Sequence, residues 1–351
     1  MSPRVLQILR WAAYPAFYLF CLAFFAYLTF PHDKLRDRLV TEFNTSQTGP
    51  SPSRLELDDV SWYYFTGIEA EGVRWIRPAP EPAAAAEGGK PAAAKPKVLV
   101  LDEVHASVSL LRWLFGTTSV SFGVEGLGGE AYGHYVDSGD ERELELELEQ
   151  IDVGQTPLAE MVGLPMTGTL ASMLELQMPE RDLGKANGKL DLSIEGLTIG
   201  DGKAKIRDTI ALPPLNVGRL ELSAEAADGK LEIKRFSANG PDAQLNLEGQ
   251  IRLRDSFDNS LAELNITFKF SDAYKNKNDL TRGLFGAPNS VVPGVFDLDP
   301  RMKRAKAPDG TYGFRVSGPL SNPSFTPSRS TGGTGAGRSS RSAIQRMPRS
   351  R

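Results

Sequence analysis

Cysteine is nearly absent from this chain of 351 residues, which holds Cys21 and no other. An internal disulfide is therefore excluded, and an oxidising compartment is permitted without being indicated. Histidine is almost as scarce. His32, His105 and His134 are scattered, with no short ligand pair and no neighbouring cysteine from which to build a zinc site. His105 lies in a strand pattern beside Asp102 and Glu103 and reads as a structural histidine, because a general base needs a partner constellation. Catalytic signatures are missing too: there is no Gly-x-Ser-x-Gly elbow and no Gly-x-x-x-x-Gly-Lys-Ser/Thr phosphate loop. The Gly-rich run Gly332–Gly337 is not placed between a strand and a helix. The expectation is a chain that is not an enzyme, with no catalytic, cofactor-binding or metal-binding residues.

Charge is missing from one stretch in particular. Trp11–Phe30 reads WAAYPAFYLFCLAFFAYLTF, 20 positions without Asp, Glu, Lys, Arg or His. At about 1.5 Å per residue a helix of that length crosses the hydrocarbon core of a bilayer. Pro15 falls in the first turn, where its missing donor costs least, and Trp11, Tyr14 and Tyr27 are placed as interfacial anchors. A cleaved signal would have a shorter apolar core and a small-x-small site, and Phe20 before Cys21 does not fit a lipoprotein signal. The expectation is an uncleaved single-pass anchor. Arg4 and Arg10 balance Lys34, Arg36 and Arg38, so charge alone does not orient it. The expectation chosen is an N-terminus in the cytoplasm and a body in the periplasm, on the likeness of the body to an envelope β domain.

Acid is absent from the other end. Residues 321–351 carry six Arg and no acidic residue, so the net charge of −4 for the whole chain leaves −10 for the remainder. A body that acidic is not expected to bind nucleic acid. The tail is Ser/Gly/Arg-rich and is expected to be disordered, beginning beyond Asn322.

Long helical patterns are also lacking between these ends. Residues 33–43 have helical spacing (Leu35, Leu39, Val40, Phe43) and are expected to form a short juxtamembrane helix, or equally a continuation of the membrane helix, which closes an N-terminal anchor unit over 1–43. From 54 to 320 the pattern is β. Strands are expected over 54–64, 67–76, 98–110, 117–124, 130–136, 142–153, 166–177, 189–199, 215–226, 230–238, 243–253, 260–270 and 311–317. Pro78–Lys97 is an Ala/Pro-rich flexible loop inserted among them. Leu111–Gly116 is a corner or helical turn, Pro157–Gly163 one or two helical turns, and Asp272–Phe285 a helix. In Arg142–Val153, Leu144, Leu146 and Leu148 face one side and Glu143, Glu145, Glu147 and Glu149 the other, a solvated acidic row. The apolar phase switches at Gly196 and Gly218, as a β-bulge would make it. The fold class expected is all-β with a single N-terminal transmembrane helix: an antiparallel, strongly curled sheet or sandwich of about a dozen strands with few short helices.

Turn motifs over Gly188–Pro323 carry a resemblance. They are Pro213-Pro214-Leu215 with Gly218, the Asp228-Gly229-Lys230 hairpin, Asn239-Gly240-Pro241-Asp242 followed by Leu245, Leu247 and Gly249, and the terminal Gly318–Pro323. In this order, behind a membrane anchor, they resemble the type II secretion system protein N (GspN) family in its deltaproteobacterial and myxobacterial form. They are more loosely similar to the AsmA-like envelope proteins. The first resemblance implies a non-catalytic, inner-membrane accessory component of the secretion machine, with other secretion-system proteins as partners. The second implies a lipid-binding or lipid-transfer protein, with phospholipid held in an apolar groove built from Leu190–Ile194, Leu220–Leu222, Leu245–Leu253 and Leu264–Phe270.

Overall fold

The computed structural model describes residues 3–46, 52–64, 66–78, 97–156, 158, 164–202, 205–206, 210–211, 213–287 and 293–328. Two helices lead the chain: α1 (Pro3–Leu28) and α2 (His32–Ser46). They are followed by β1 (Arg54–Glu56), β2 (Asp59–Tyr63), β3 (Gly67–Arg77), β4 (Lys97–Val108), the five-residue helix α3 (Leu110–Leu114), β5 (Thr118–Gly126), β6 (Gly129–Asp137), β7 (Glu141–Asp152), β8 (Met166–Pro179) and β9 (Asn187–Ile199). Among the described residues, two-residue strands β10 (Lys205–Ile206) and β11 (Ile210–Ala211) pair only with each other. Then come β12 (Leu215–Ala227), β13 (Lys230–Asn239), β14 (Ala243–Arg252) and β15 (Leu261–Phe270). Helices α4 (Asp272–Lys275), α5 (Asp279–Phe285), α6 (Val295–Leu298) and α7 (Pro300–Ala305) precede β16 (Tyr312–Pro319) and β17 (Ser324–Pro327).

The main sheet has 15 strands, each paired antiparallel, and from β3 onward almost every strand lies beside its predecessor in sequence. Alternation of apolar and polar residues makes such a meander possible: tight turns such as Leu127-Gly128, both at positive φ, return each strand beside the last. The sheet is not closed. Its strand order ends in β17 on one side and in β1 and β2, which share one edge of β3, on the other. Helix α2 covers the latter edge. Asn44 accepts from the Leu55 backbone N–H at 2.8 Å and donates to the Leu55 carbonyl at 3.2 Å, and Arg36 donates to the Asp58 carbonyl at 3.2 Å. An unpaired strand edge would template association, so this cover has a physical purpose.

Bulges bend the sheet. Register shifts occur at Gly218 in the β9–β12 pairing, beside Gly168 and Gly196 in the β8–β9 pairing, and in four further pairings. Gly218 has φ +74, a conformation that a side chain would strain, and a Cβ there would lie 3.1 Å from the Gly240 backbone. That close approach lets the β13–β14 turn fold over β12, so that Asp242 N–H donates to the Asn216 carbonyl at 3.2 Å across the intervening strand.

Several expectations need correction. The strand expected over 54–64 is two strands, β1 and β2, broken at Leu57-Asp58. The helix expected over Asp272–Phe285 is two, because Asn278 starts a new one: its side chain accepts from Thr281 N–H at 2.9 Å, completing a capping box. The strand at 311–317 is not the last, since Ser324–Pro327 pairs with β16 inside the segment expected to be disordered from 321. The β body thus extends past 320. Most of the Pro78–Lys97 loop, most of the Pro157–Gly163 turns and the tail from 329 lie outside the described residues. The uncharged stretch Trp11–Phe30 lies largely within α1. Among the described residues, however, no helix is long and apolar enough to cross a membrane. The side chains of Ala12, Ala16, Leu19, Ala23 and Ala26 fall outside those described, so the expected single span is not shown.

Candidate functional site

The register turns strand alternation into two chemically opposite faces. One ladder row runs Ile68, Ala106, Phe122, Gly133, Leu146, Leu174, Leu190, Ala224, Ile233, from β3 to β13, without a polar side chain. A second runs Val108, Val120, Tyr135, Leu144, Leu176, Gly188, Ala226, Leu231, Ile251, Ala262. Further along the chain the same face continues through the cross-strand pairs Leu247–Ile266 and Ile266–Phe314. At about 4.8 Å per strand, the first row is about 38 Å of continuous apolar surface. The one glycine in its middle, Gly133, lies under the Phe122 ring; a Cβ there would meet the ring at 2.0 Å.

The opposite face is charged. Its rows include Ser121, His134, Glu145, Glu175, Lys189, Glu225, Glu232 and Glu263, and the expected acidic row is there: Glu145, Glu147 and Glu149 are exposed. A cavity of about 690 Å³ borders this face and is lined in part by Glu147, Asp191, Arg219, Glu221 and Arg235. Arg219 and Arg235 share Glu221 at 2.9 Å each, so this hollow holds paired surface charges. It is not the feature that distinguishes the molecule, since ion pairs on an exposed face are ordinary.

Burial along the apolar face is uneven. At one end a core gathers Ile151, Val153, Leu170, Ile194, Leu197, Val217, Ala238, Phe270 and Tyr312, and the C-terminal helices close over it through Tyr274, Phe285, Phe296 and Met302. At the other end a smaller core holds Ala186, Ala226 and Leu253, with Leu176, Leu183 and Leu231 against it. Between them Leu146, Leu174, Leu190, Leu222, Ile233, Leu247, Leu264 and Ile266 are only half-buried, and neither core includes them. Among the described residues no second sheet faces this band; the only other sheet is the β10–β11 pair. The band is a stripe of half-buried aliphatic side chains between two packed cores.

The closed end is built from the motifs that drew attention in the sequence. Tyr274, wholly buried, donates its hydroxyl to the Pro213 carbonyl at 2.8 Å. Lys277 donates to the Pro214 carbonyl and to Asp242, each at 3.1 Å, and Asp242 accepts from Asn216 N–H at 3.0 Å. The Pro-Pro-Leu and Asn-Gly-Pro-Asp turns therefore meet each other beneath α4. Burial, with the Asp242 carboxylate nearby, pushes the Tyr274 hydroxyl up to about 12.

The histidines are dispersed, as their spacing implied. His105 stacks on Tyr63 with ring centroids 4.2 Å apart and lies over Gly123. Its Nδ1 is 3.6 Å from Glu103 and makes no hydrogen bond, so packing rather than hydrogen bonding holds the ring. His134 has neighbours that the sequence did not reveal: Ser121 Oγ at 3.0 Å from Nδ1 and Ser119 Oγ at 3.5 Å from Nε2. They come together because β5 and β6 place Ser121 opposite His134. Among the described residues no carboxylate reaches the ring as a third member, and no group of three or more His, Cys, Asp or Glu is arranged to hold a metal ion.

No family model, no curated protein and no solved structure matches this chain.

Proposed function

We propose that this chain is a non-catalytic, membrane-anchored protein of the bacterial cell envelope whose open sheet holds lipid acyl chains along its apolar face. One observation carries the reading: the apolar row at the centre of the strands is continuous across nine strands and largely half-buried, with a packed core towards each end of the strands. A monomeric soluble protein rarely leaves an apolar patch of more than a few hundred Å² uncovered. Acyl chains would cover it at a gain of about 25 cal/mol per Å², and the charged outer face would stay in water. Helix α1 supports the membrane part of the proposal. Large side chains along it are exposed, Trp11 by 80%, Tyr18 by 71% and Leu22 by 68%, and Trp11–Phe30 contains no charge. In this proposal the N-terminus is cytoplasmic and the body periplasmic.

Lipid analysis of the full chain, extracted natively, tests it. Stoichiometric phospholipid is expected, and it should be lost from Leu247→Asp and Ile266→Asp, which face each other across β14 and β15. An empty wild-type protein would overturn the reading.

A second reading, an accessory component of the type II secretion machine, is favoured by the order of the turn motifs over Gly188–Pro323. Those motifs fasten the larger core at one end of the strands, a structural role compatible with either reading. A lipid-free protein that captures secretion-system components would favour this second one.

A further inference from the structure

Helix α3 contributes nothing to the core: none of its residues is buried, and its N-cap, Ser109, makes no side-chain capping bond. Yet it and the residue after it form the densest exposed apolar cluster among the described residues of the body. Leu110 is 59% exposed, Leu111 74%, Trp113 63%, Leu114 74% and Phe115 79%. Exposed apolar residues are unremarkable singly; five in six positions are not. No acidic residue occurs from Val104 to Val124, in a body that is otherwise strongly acidic, and Arg112 stands in the middle of the cluster.

Its position in the fold indicates the occupant. Val108 N–H donates to the Thr66 carbonyl at 3.3 Å, so the start of α3 adjoins the β2–β3 turn, where Tyr64 is 74% exposed. Trp62, two positions before that turn residue, packs against the end of α1: its ring centroid is 4.5 Å from Phe30 and 6.0 Å from Tyr27. The point where α1 meets the body and the apolar tip of the β4–β5 connection therefore share one edge of the sheet. Leu, Trp and Phe around a lone Arg are the side chains that settle at the boundary between lipid headgroups and acyl chains.

We propose that α3 is a second membrane contact, inserting Leu111, Trp113, Leu114 and Phe115 into the interfacial layer of the bilayer that α1 enters. With α1 it would fix the tilt of the sheet, holding the β2–β3 and β4–β5 connections against the lipid surface. The inference rests on the proposed membrane placement of α1, so the test reports on both separately.

The chain with Cys21→Ser takes a single cysteine at Leu114, Leu22 or Phe325, each labelled with an environment-sensitive fluorophore. The full-length protein is reconstituted into phosphatidylcholine–phosphatidylglycerol vesicles with brominated acyl chains, and aqueous iodide is the second quencher. At Leu114 the bromines are expected to quench and iodide not to; at Phe325, on the far side of the sheet, the reverse is expected. Iodide quenching at Leu114 equal to that at Phe325 would overturn the proposal, with quenching by bromine at Leu22 showing that the anchor itself stands. Protection at Leu114 from both quenchers would mean that the segment is covered by this chain or a second copy of it, and would also overturn the proposal. Bromine quenching at Leu114 but not at Leu22 would support the α3 contact and refute the α1 anchor.

Discussion

Tyr274 reaches 61 positions back along the chain to give its hydroxyl proton to the Pro213 carbonyl at 2.8 Å. The bond joins the first residues after β15 to the approach into β12 and spans the strands between. It makes one end of the sheet a lidded core while the middle stays open. Tyr274→Phe leaves a buried carbonyl unpaired, which costs about 1–3 kcal/mol; denaturant titration measures it. The hydroxyl also couples stability to pH. Its folded value of about 12 exceeds the ordinary 10.0, so the proton is held more tightly when folded. The contribution is complete below pH 10 and is lost as pH rises towards 12. The Phe variant should lack that alkaline loss.

Asp137 offers the opposite dependence. Arg181, 2.6 Å away on the β8–β9 connection, and Gly139 N–H lower its carboxyl from 3.8 to about 2. Such a group stabilises above its ordinary value, and the effect disappears as pH falls through about 2. Arg181→Ala should lower thermal stability at neutral pH and converge on the wild type in strong acid. An unchanged difference at low pH would contradict this.

The two faces of β7 should respond differently to substitution. Leu146→Asp puts a carboxylate among aliphatic neighbours and costs on the order of 2 kcal/mol. Glu147→Lys, on the exposed face, changes stability by about 0.5 kcal/mol or less. Equal sensitivity at both positions would mean that the charged face is covered as well.

Anchoring by α1 is checked by alkaline washing of membranes and N-terminal analysis of what remains. The proposal expects a retained chain with residues 11–30 intact. A mature form starting near Pro31 and released by washing would contradict it.

The meander was legible because period-two alternation is strong wherever one face meets water, as in Leu144–Glu149. The bulge at Gly218 was legible because the apolar phase switches there. Short elements were not. Val295–Leu298 and Pro300–Ala305 are too brief for a helical period to emerge, and Ser324–Pro327 hides in a Ser/Pro-rich segment. The half-buried apolar band was only half legible: Leu190 and Leu247 alternate in the same way whether a second layer covers them or not, and only the register and burial distinguish the two. Leu110–Phe115 gave no sign of its exposure, since an apolar turn ordinarily packs inward.

The central claim is that acyl chains lie along the half-buried rows, and crosslinking in the membrane addresses it most directly. A photoreactive side chain is placed in the full-length protein at Leu190, Leu222 or Leu247, and for comparison at Glu147 or Glu248 on the charged face. After illumination in intact cells, mass spectrometry reads the adducts. Phospholipid attached at the three leucine positions and absent at the two glutamates is the predicted result. No lipid at any of the five, with protein adducts at Leu247 instead, would contradict the account.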